Sequence, residues 1–124
     1  MVVDASAVLA LLYREPFENI APEEIAGSTI SAVNLSEVLA TLQSAGIAAA
    51  DATSATDALE MTVVAFDIAH AEIAATLRVP TRGAGLSLGD RACLATARIA
   101  AEPAITADRA WAGLDVGVEV ILIR

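Results

Sequence analysis

The sequence contains no lysine, and all seven of its basic residues are arginine. Without lysine there can be no Walker A loop, whose lysine contacts nucleotide phosphates, and no Schiff-base chemistry. The one cluster of glycines, Gly83 and Gly85 with Gly89 further on, does not fit the dinucleotide pattern G-x-G-x-x-G and follows no predicted strand. These absences exclude the common nucleotide-binding loops and lysine-based covalent catalysis.

Histidine and cysteine each occur once, as His70 and Cys93. A serine triad needs a histidine, and His70 lies in a predicted helix with no nucleophile elbow around it. We therefore interpret His70 as a surface or half-buried helix residue. One thiol cannot build an internal disulfide framework, and one histidine with one cysteine cannot form a zinc site of usual composition.

No apolar run approaches the roughly 20 residues that cross a bilayer, because acids and arginines interrupt every candidate. The opening segment Met1–Asp4 lacks the basic start of a signal peptide. We therefore predict a cytoplasmic protein with no membrane contact. A hydrophobic fraction of 56% and a length of 124 residues predict one ordered domain over residues 1–124. The apolar excess is also consistent with surface hidden in a homodimer or partner interface.

Hydrophobic periodicity and helix-capping residues predict strands alternating with helices. The predicted strands are Met1–Val3, Ser28–Ser31, Met61–Phe66, Ala104–Thr106 and Val118–Ile123. The predicted helices are Ala7–Tyr13, Ala32–Ala45, Ala48–Leu59, Ile68–Leu77 and Leu88–Ala101. A short helix or pair of turns is expected over Phe17–Ile25, and a loop over Arg78–Leu86. This alternation predicts an α/β fold whose mostly parallel central sheet is covered on both faces.

Four acids lie where such a fold places binding sites. Asp4 directly follows the first strand, and Asp108 lies two residues after the strand that ends at Thr106. Glu37 lies in the helix after the second strand, and Asp90 lies in the first turn of the last long helix. Sites in parallel sheets form at the carboxyl ends of the strands, so these acids could meet at one edge. Carboxylate oxygens suit Mg²⁺ or Mn²⁺, which can activate water against a phosphodiester.

Each acid also has a structural interpretation, and taken alone that interpretation is the commoner one. Asp4 could be the N-cap of the following helix, and Asp108 could cap the next turn. Asp90 fits a capping box with Ser87. Glu37 lies opposite the apolar stripe of its helix, so the pattern alone favours a solvated side chain. Only the joint placement of the four acids indicates a metal site.

The same segments resemble the PIN-domain ribonucleases, in particular the VapC-type toxins of toxin–antitoxin pairs. The resemblance covers essentially the whole chain, in order and with matching spacing. It is carried by the segments Val2-Val3-Asp4-Ala5-Ser6-Ala7, Asn34-Leu35-Ser36-Glu37-Val38, Leu86-Ser87-Leu88-Gly89-Asp90-Arg91 with Leu94-Ala95, and Ile105-Thr106-Ala107-Asp108-Arg109-Ala110-Trp111. It implies a PIN-like, three-layer α/β/α domain and a metal-dependent endoribonuclease.

The resemblance further implies that Asp4, Glu37, Asp90 and Asp108 bind Mg²⁺, with Mn²⁺ as the alternative. Activated water would then attack RNA, and no covalent nucleophile is needed. Ser6 and Thr106 would support the ligands by hydrogen bonds, although simple turn capping explains them equally well. The implied partners are a VapB-like antitoxin and a second copy in a homodimer. Operator DNA would be bound only through the antitoxin.

The net charge of −9 opposes tight, unaided binding to RNA, although bound cations would offset part of it. It suits a basic antitoxin segment. Arg91 and Arg98, one heptad apart, could guide phosphate, but a partner salt bridge or a solvated face is the commoner role for such residues. Asp115 is interpreted as structural. Two other functions stay open: a PIN nuclease that acts on DNA or RNA processing outside a toxin pair, and a partner-binding module without catalysis.

Overall fold

A computed structural model describes all residues from Met1 to Arg124 and contains one five-stranded sheet in the order β3-β2-β1-β4-β5. The strands are β1 (Val2–Val3), β2 (Thr29–Ser31), β3 (Thr62–Val64), β4 (Ala104–Thr106) and β5 (Val120–Leu122). Every neighbouring pair is parallel, with Val2 opposite both Thr29 and Ala104. The predicted α/β class with a parallel sheet is confirmed.

Six helices connect the strands, and their bounds lie within about two residues of the predicted ones wherever a long helix was expected. They are α1 (Ala5–Leu12), α2 (Ala32–Ser44), α3 (Ala49–Asp57), α4 (Ile68–Thr76), α5 (Arg78–Thr81) and α6 (Leu88–Ala100). Single 3₁₀ turns lie at Pro22–Glu24, Arg82–Ala84 and Arg109–Trp111. None of the helices combines the length and the hydrophobicity that a membrane span requires.

The two faces of the sheet belong to two separate apolar cores, because successive side chains of a strand point to opposite faces. Val3 and Ile105 lie in a core with residues of α1, α2 and α3. Val2 and Ala104 lie in a second core with residues of α6 and with Trp111. The helices therefore form a layer on each side of the sheet, which is the expected three-layer arrangement.

The prediction of a loop over Arg78–Leu86 is wrong, since this segment contains α5 and a 3₁₀ turn. Pro80 is compatible with α5 because it falls within the first turn, where a backbone N–H has no partner inside the helix. The Thr81 N–H donates to the Leu77 oxygen at 3.2 Å. Gly85, at φ +69°, ends the helical turns in the left-handed region. Of the predicted Phe17–Ile25 element only the Pro22–Glu24 turn is helical.

Local capping signals are confirmed in detail. The Asp67 carboxylate caps α4 by accepting from the His70 N–H at 3.1 Å. Ser87 and Asp90 form the predicted capping box at the start of α6. The interpretation of His70 as a surface or half-buried residue is wrong, because His70 is 7% exposed. Its Nδ1 lies 2.7 Å from Asp67 Oδ1, so the capping acid also satisfies the buried ring.

The strand order reverses between β1 and β4. The chain moves from β1 outward to β2 and β3, and then crosses through α4, α5 and α6 to β4 on the other side of β1. Such a reversal leaves a crevice at the carboxyl ends of the two central strands, which is where parallel sheets bind ligands. Asp4 follows β1, and Asp108 follows β4, at this crevice.

Candidate metal centre

One cavity of about 460 Å³ opens at this crevice, and all four predicted acids line it. Asp4 and Asp108 come from the ends of β1 and β4, whereas Glu37 and Asp90 come from α2 and α6. The remaining lining residues are Ala5, Ser6, Leu9, Ala40 and Thr41. The tertiary structure therefore brings together four carboxylates that are far apart in the sequence.

Asp4 lies deepest, with 3% of its surface exposed. Its backbone N–H donates to the Ile105 oxygen at 2.8 Å, which ties the residue to β4. The side chain does not cap α1. Instead, Oδ2 accepts from the Ser6 hydroxyl at 2.6 Å and from the Thr106 hydroxyl at 3.0 Å. The alternative of Asp4 as a simple N-cap therefore does not describe this carboxylate.

Ser6 and Thr106 are oriented by backbone N–H groups on their other side. Ser6 Oγ accepts from the Ala107 N–H at 2.9 Å, and Thr106 Oγ1 accepts from the Asp108 N–H at 3.0 Å. A hydroxyl carries a single proton, and each of these two hydroxyls is placed to donate it to Asp4, while Ser6 Oγ and Thr106 Oγ1 lie 3.1 Å from each other. The two hydroxyls thus join the ends of β1 and β4 around one carboxylate.

Asn34, which the sequence analysis did not single out, links three parts of the site. Its amide nitrogen lies 3.0 Å from Glu37 Oε2, 2.9 Å from the Gly89 oxygen and 3.4 Å from Asp4 Oδ1. Asn34 is fully buried, and its Oδ1 has no hydrogen-bond partner. A signal was present in the sequence: Asn34, Val38 and Leu42 form the buried stripe of α2, in which an amide is unusual.

Glu37 is partly buried and faces α6, so the pattern-based alternative of a fully solvated side chain does not describe it. Its carboxylate lies against the backbone of Gly89, where a Cβ atom would overlap it. Glycine at this position leaves the space that the carboxylate occupies. Together with the Asn34 amide, this contact fixes Glu37 at the junction of α2 and α6.

Asp90 and Asp108 retain the structural roles that their local sequence predicts. Asp90 Oδ2 accepts from the Ser87 N–H at 2.9 Å, and Asp108 Oδ1 accepts from the Ala110 N–H at 2.9 Å. Each carboxylate uses one oxygen in these bonds, and both residues still line the cavity. The capping interaction and a ligand role are therefore compatible, because each carboxylate keeps a second oxygen.

No basic side chain balances the negative charges of the four carboxylates that line the cavity. Burial raises the pKa of Asp4, with a further contribution from the charge of Asp90, while the hydroxyls of Ser6 and Thr106 oppose the shift. Burial also raises the pKa of Glu37, which its hydrogen bond to the Asn34 amide opposes. The three ion pairs of the chain are Met1 amino group–Glu102, His70–Asp67 and Arg124–Glu15. No arginine therefore neutralises the four acids.

The donor chemistry fits a hard divalent cation, since the cavity offers carboxylate oxygens and no basic side chain. The side chains are spread around the cavity, and no three of them lie close enough together to ligate one ion directly. Ions such as Mg²⁺ keep several water ligands and need only one or two carboxylates, so this spacing is compatible with hydrated binding.

The two arginines that could guide phosphate lie outside this cavity. Arg91 is 8% exposed, and its guanidinium donates to the Ala74 oxygen at 3.3 Å, across the α4–α6 contact. The expectation of a solvated or salt-bridged Arg91 is therefore wrong, because Arg91 binds the carbonyl end of α4. Arg98 is exposed and packs beside Gly117.

Two further residues near the end of the chain also lie outside the cavity. Asp115 is exposed and does not line the cavity. Trp111 is fully buried in the core.

Comparison with known proteins identifies the fold. The family model of the PIN domain matches residues 1–116. A toxin–antitoxin complex from Klebsiella pneumoniae aligns with a TM-score of 0.71 at 19% identity, covering 99% of this chain and 97% of that chain. VapBC2 from Rickettsia felis, bound to a DNA fragment from its promoter, aligns with a TM-score of 0.75 at 14% identity, covering 99% and 98%. VapBC-5 from Mycobacterium tuberculosis aligns with a TM-score of 0.64 at 25% identity, covering 99% and 96%. No curated protein matches the sequence.

Proposed function

Because this chain belongs to the PIN domain family, we propose that it is a metal-dependent endoribonuclease toxin of the VapC type. PIN domains are generally nucleases and generally use divalent metals. Three solved structures that share the fold are described as a toxin–antitoxin complex or as VapBC proteins. The whole chain, residues 1–124, would act as one nuclease domain.

The observation that carries the proposal is the uncompensated cluster of Asp4, Glu37, Asp90 and Asp108 around one open cavity. Gathering carboxylates that repel one another and lose hydration on burial lowers the free energy of unfolding, unless a bound cation or a proton compensates their charge. A protein that needed these acids only for turns and caps would gain nothing from gathering them. A binding site for divalent cations accounts for the arrangement.

In this proposal the four carboxylates hold Mg²⁺, or alternatively Mn²⁺, directly or through water. When bound, such an ion supplies an activated water and stabilises charge on the phosphodiester. The contribution of the chain is positioning. Ser6 and Thr106 orient Asp4, and Asn34 keeps Glu37 beside α6. The open cavity leaves room for a phosphodiester above the acids.

The partners follow from charge and from the structural relatives. A chain of net charge −9 with an acidic cavity suits a basic segment of a VapB-like antitoxin that neutralises the toxin. Operator DNA would then be bound through the antitoxin, and the toxin would act on RNA in the cytoplasm. A homodimer completes the proposed assembly and would cover part of the exposed apolar surface.

The test is cleavage of a total-RNA pool by the purified chain with Mg²⁺, with Mn²⁺ or with EDTA. Asp4→Asn and Asp90→Asn remove one charge each from the cavity. Asp115→Asn is the matched control, because it removes one charge from an exposed acid outside the cavity. We expect metal-dependent cuts that the two cavity variants lose and the control retains. Thermal unfolding with added Mn²⁺ checks binding separately, since a cation that binds only the folded state raises Tm.

Each alternative function gives a different result in the same experiment. Cleavage of DNA in preference to RNA would indicate a nuclease outside a toxin pair. A folded chain that neither cuts RNA nor gains stability from Mn²⁺ would contradict the nuclease proposal and favour a partner-binding module. Equal cleavage by wild type and by both cavity variants would place the chemistry elsewhere.

A further inference from the structure

The cavity continues beyond the four carboxylates, between α1 and α2. Both helices begin at the carboxyl ends of parallel strands and pack against each other, so they run away from the carboxylates side by side. Ser6, Leu9 and Tyr13 follow one another at intervals of three and four along α1 and its C-cap, and they share one face. Ser6 and Leu9 line the cavity. Tyr13 therefore extends the same row, about 10 Å along the helix axis from Ser6 at 1.5 Å per residue.

The α2 side of this region carries small and polar residues. Ala40, Thr41 and Ser44 are exposed and follow Glu37 on the same face of α2. Ala40 and Thr41 also line the cavity. A helix of a protein partner is normally held by a continuous apolar row, whereas hydroxyls suit the polar edges of bases and sugars. We call the following residues the α1–α2 surface: Leu9, Tyr13, Ala40, Thr41 and Ser44.

Tyr13 is the only exposed aromatic residue of the chain. Its exposure is 49%, whereas Phe17 and Phe66 are partly buried and Trp111 is fully buried. Bases of single-stranded nucleic acids stack on such side chains, and stacking needs no positive charge. A net charge of −9 repels phosphates, so affinity for RNA has to come from bound cations and from uncharged contacts. Tyr13 is the aromatic side chain that can supply such a contact beside the cavity.

Arg14, the next residue along the chain, is exposed and takes part in no ion pair. The adjacent acid, Glu15, is already paired with Arg124 at 3.0 Å. Arg14 has φ +57°, in the left-handed region where the end of a helix normally carries glycine. Glycine would fit this position without strain, so the backbone does not account for an arginine here. A free guanidinium beside Tyr13 is suited to contact a phosphate.

We propose that the α1–α2 surface binds the single-stranded RNA segment beside the scissile phosphodiester, with one base stacked on Tyr13 and one phosphate at Arg14. The inference rests on the proposed nuclease function and assigns to this surface the selection of the RNA. Thr41 and Ser44 face base edges and 2′-hydroxyls of the same segment. Tyr13 and Arg14 lie outside the carboxylate cavity, so they bind the substrate and take no part in the chemistry.

Photo-cross-linking locates the bound base directly. The probe is a pool of short random-sequence RNAs in which 5-iodouridine replaces uridine, mixed with the protein in Ca²⁺, which takes oxygen ligands. We expect mass spectrometry to find the cross-link on the peptide that contains Tyr13. The cross-link should be lost in Tyr13→Ala and retained in Ile99→Ala, the control on α6, where Ile99 is 45% exposed. Cross-links only at other peptides, or none at all, would overturn the inference.

Fluorescence anisotropy with the unsubstituted RNA pool, labelled with fluorescein, measures the dissociation constant in the same buffer. We expect Tyr13→Ala to raise the dissociation constant at least about fivefold, which corresponds to the loss of one stacked base. Tyr13→Phe should bind as the wild type does, because the ring remains. Arg14→Gly should weaken binding and flatten its salt dependence, because one phosphate contact is lost. Its Tm should not fall, since glycine relieves the left-handed φ.

Neither binding measurement uses cleavage, so the two proposals can fail separately. A wild type that cuts RNA, but whose affinity for RNA is unchanged by Tyr13→Ala, would refute this inference alone and leave the α1–α2 surface to a protein partner. A wild type that binds RNA through Tyr13 and cuts none would support the RNA site and contradict the nuclease proposal. Circular dichroism of each variant shows that a loss of binding is not a loss of folding.

Discussion

Replacing Thr106 with valine removes one hydroxyl and leaves the shape of the side chain almost unchanged. That hydroxyl donates to Asp4 at 3.0 Å and accepts from the Asp108 N–H at 3.0 Å, and Thr106 is fully buried. In Thr106→Val, the Asp108 N–H loses its partner and the Asp4 carboxylate loses one of its two hydroxyl donors. Both losses fall on the two acids that follow the central strands.

The expected magnitude follows from these two bonds. A hydrogen bond to a charged group contributes about 1.5–3 kcal/mol net, and a donor left without a partner on burial costs about 1–3 kcal/mol. The Asp108 N–H is only partly buried, so water can replace part of its bond. We therefore expect a loss of roughly 2–3 kcal/mol in the free energy of unfolding. At about 4 °C per kcal/mol for a chain of this size, Tm should fall by roughly 8–12 °C.

The assay is thermal unfolding in EDTA at neutral pH, beside the control Thr96→Val. Thr96 is also buried, at 2% exposure, but its hydroxyl donates only to the Ala92 oxygen of its own helix at 2.9 Å. Its removal leaves no donor unpaired, so the control should lose less than about 1 kcal/mol. Equal Tm values for Thr106→Val and Thr96→Val would refute the argument that the Thr106 hydroxyl holds the two strand ends together.

Three further predictions concern the same cavity. Burial raises the pKa of Asp4 above 3.8, so protonated Asp4 contributes to the free energy of unfolding fully below pH 3.8, and this contribution is lost as pH rises through the raised pKa. Asp4→Asn should flatten that part of the Tm–pH curve in EDTA. An unchanged curve would contradict the raised pKa of Asp4. Asn34→Leu leaves the Glu37 carboxylate and the buried Gly89 carbonyl without their amide donor, so we expect a loss of about 1–3 kcal/mol by denaturant unfolding and a smaller rise of Tm on adding Mn²⁺. Wild-type values for both would show that the amide is dispensable. Gly89→Ala should fold with a small fall in Tm, because the added Cβ displaces the Glu37 carboxylate from the Asn34 amide while the three nearest atoms all belong to the Glu37 side chain. A large fall in Tm would mean that the α6 backbone itself had to move.

Local sequence signals predicted most of the secondary structure, because they act within a few residues. The Ser87–Asp90 capping box and the Asp67 N-cap begin their helices where predicted. Gly46 follows the end of α2 with φ +94°, a left-handed conformation that glycine adopts without strain. The failure at Arg78–Leu86 has the same origin, since proline and glycine were interpreted as loop residues although Pro80 lies in a helical first turn.

By itself, the sequence determined the alternation of strands and helices, the parallel sheet, and the positions of two acids after strands and of two acids in helices. Only the tertiary structure decided which side chains face the cavity. Glu37 faces inward because α6 presents Gly89 to it, and Asn34 is part of the site because α2 crosses α6 at that point. Arg91 turns inward to the end of α4 for a similar reason. Helical periodicity predicts which face of a helix is buried, but it does not predict which other helix packs there. Contacts between helices that are distant in the sequence are determined only when the sheet sets the spacing between them.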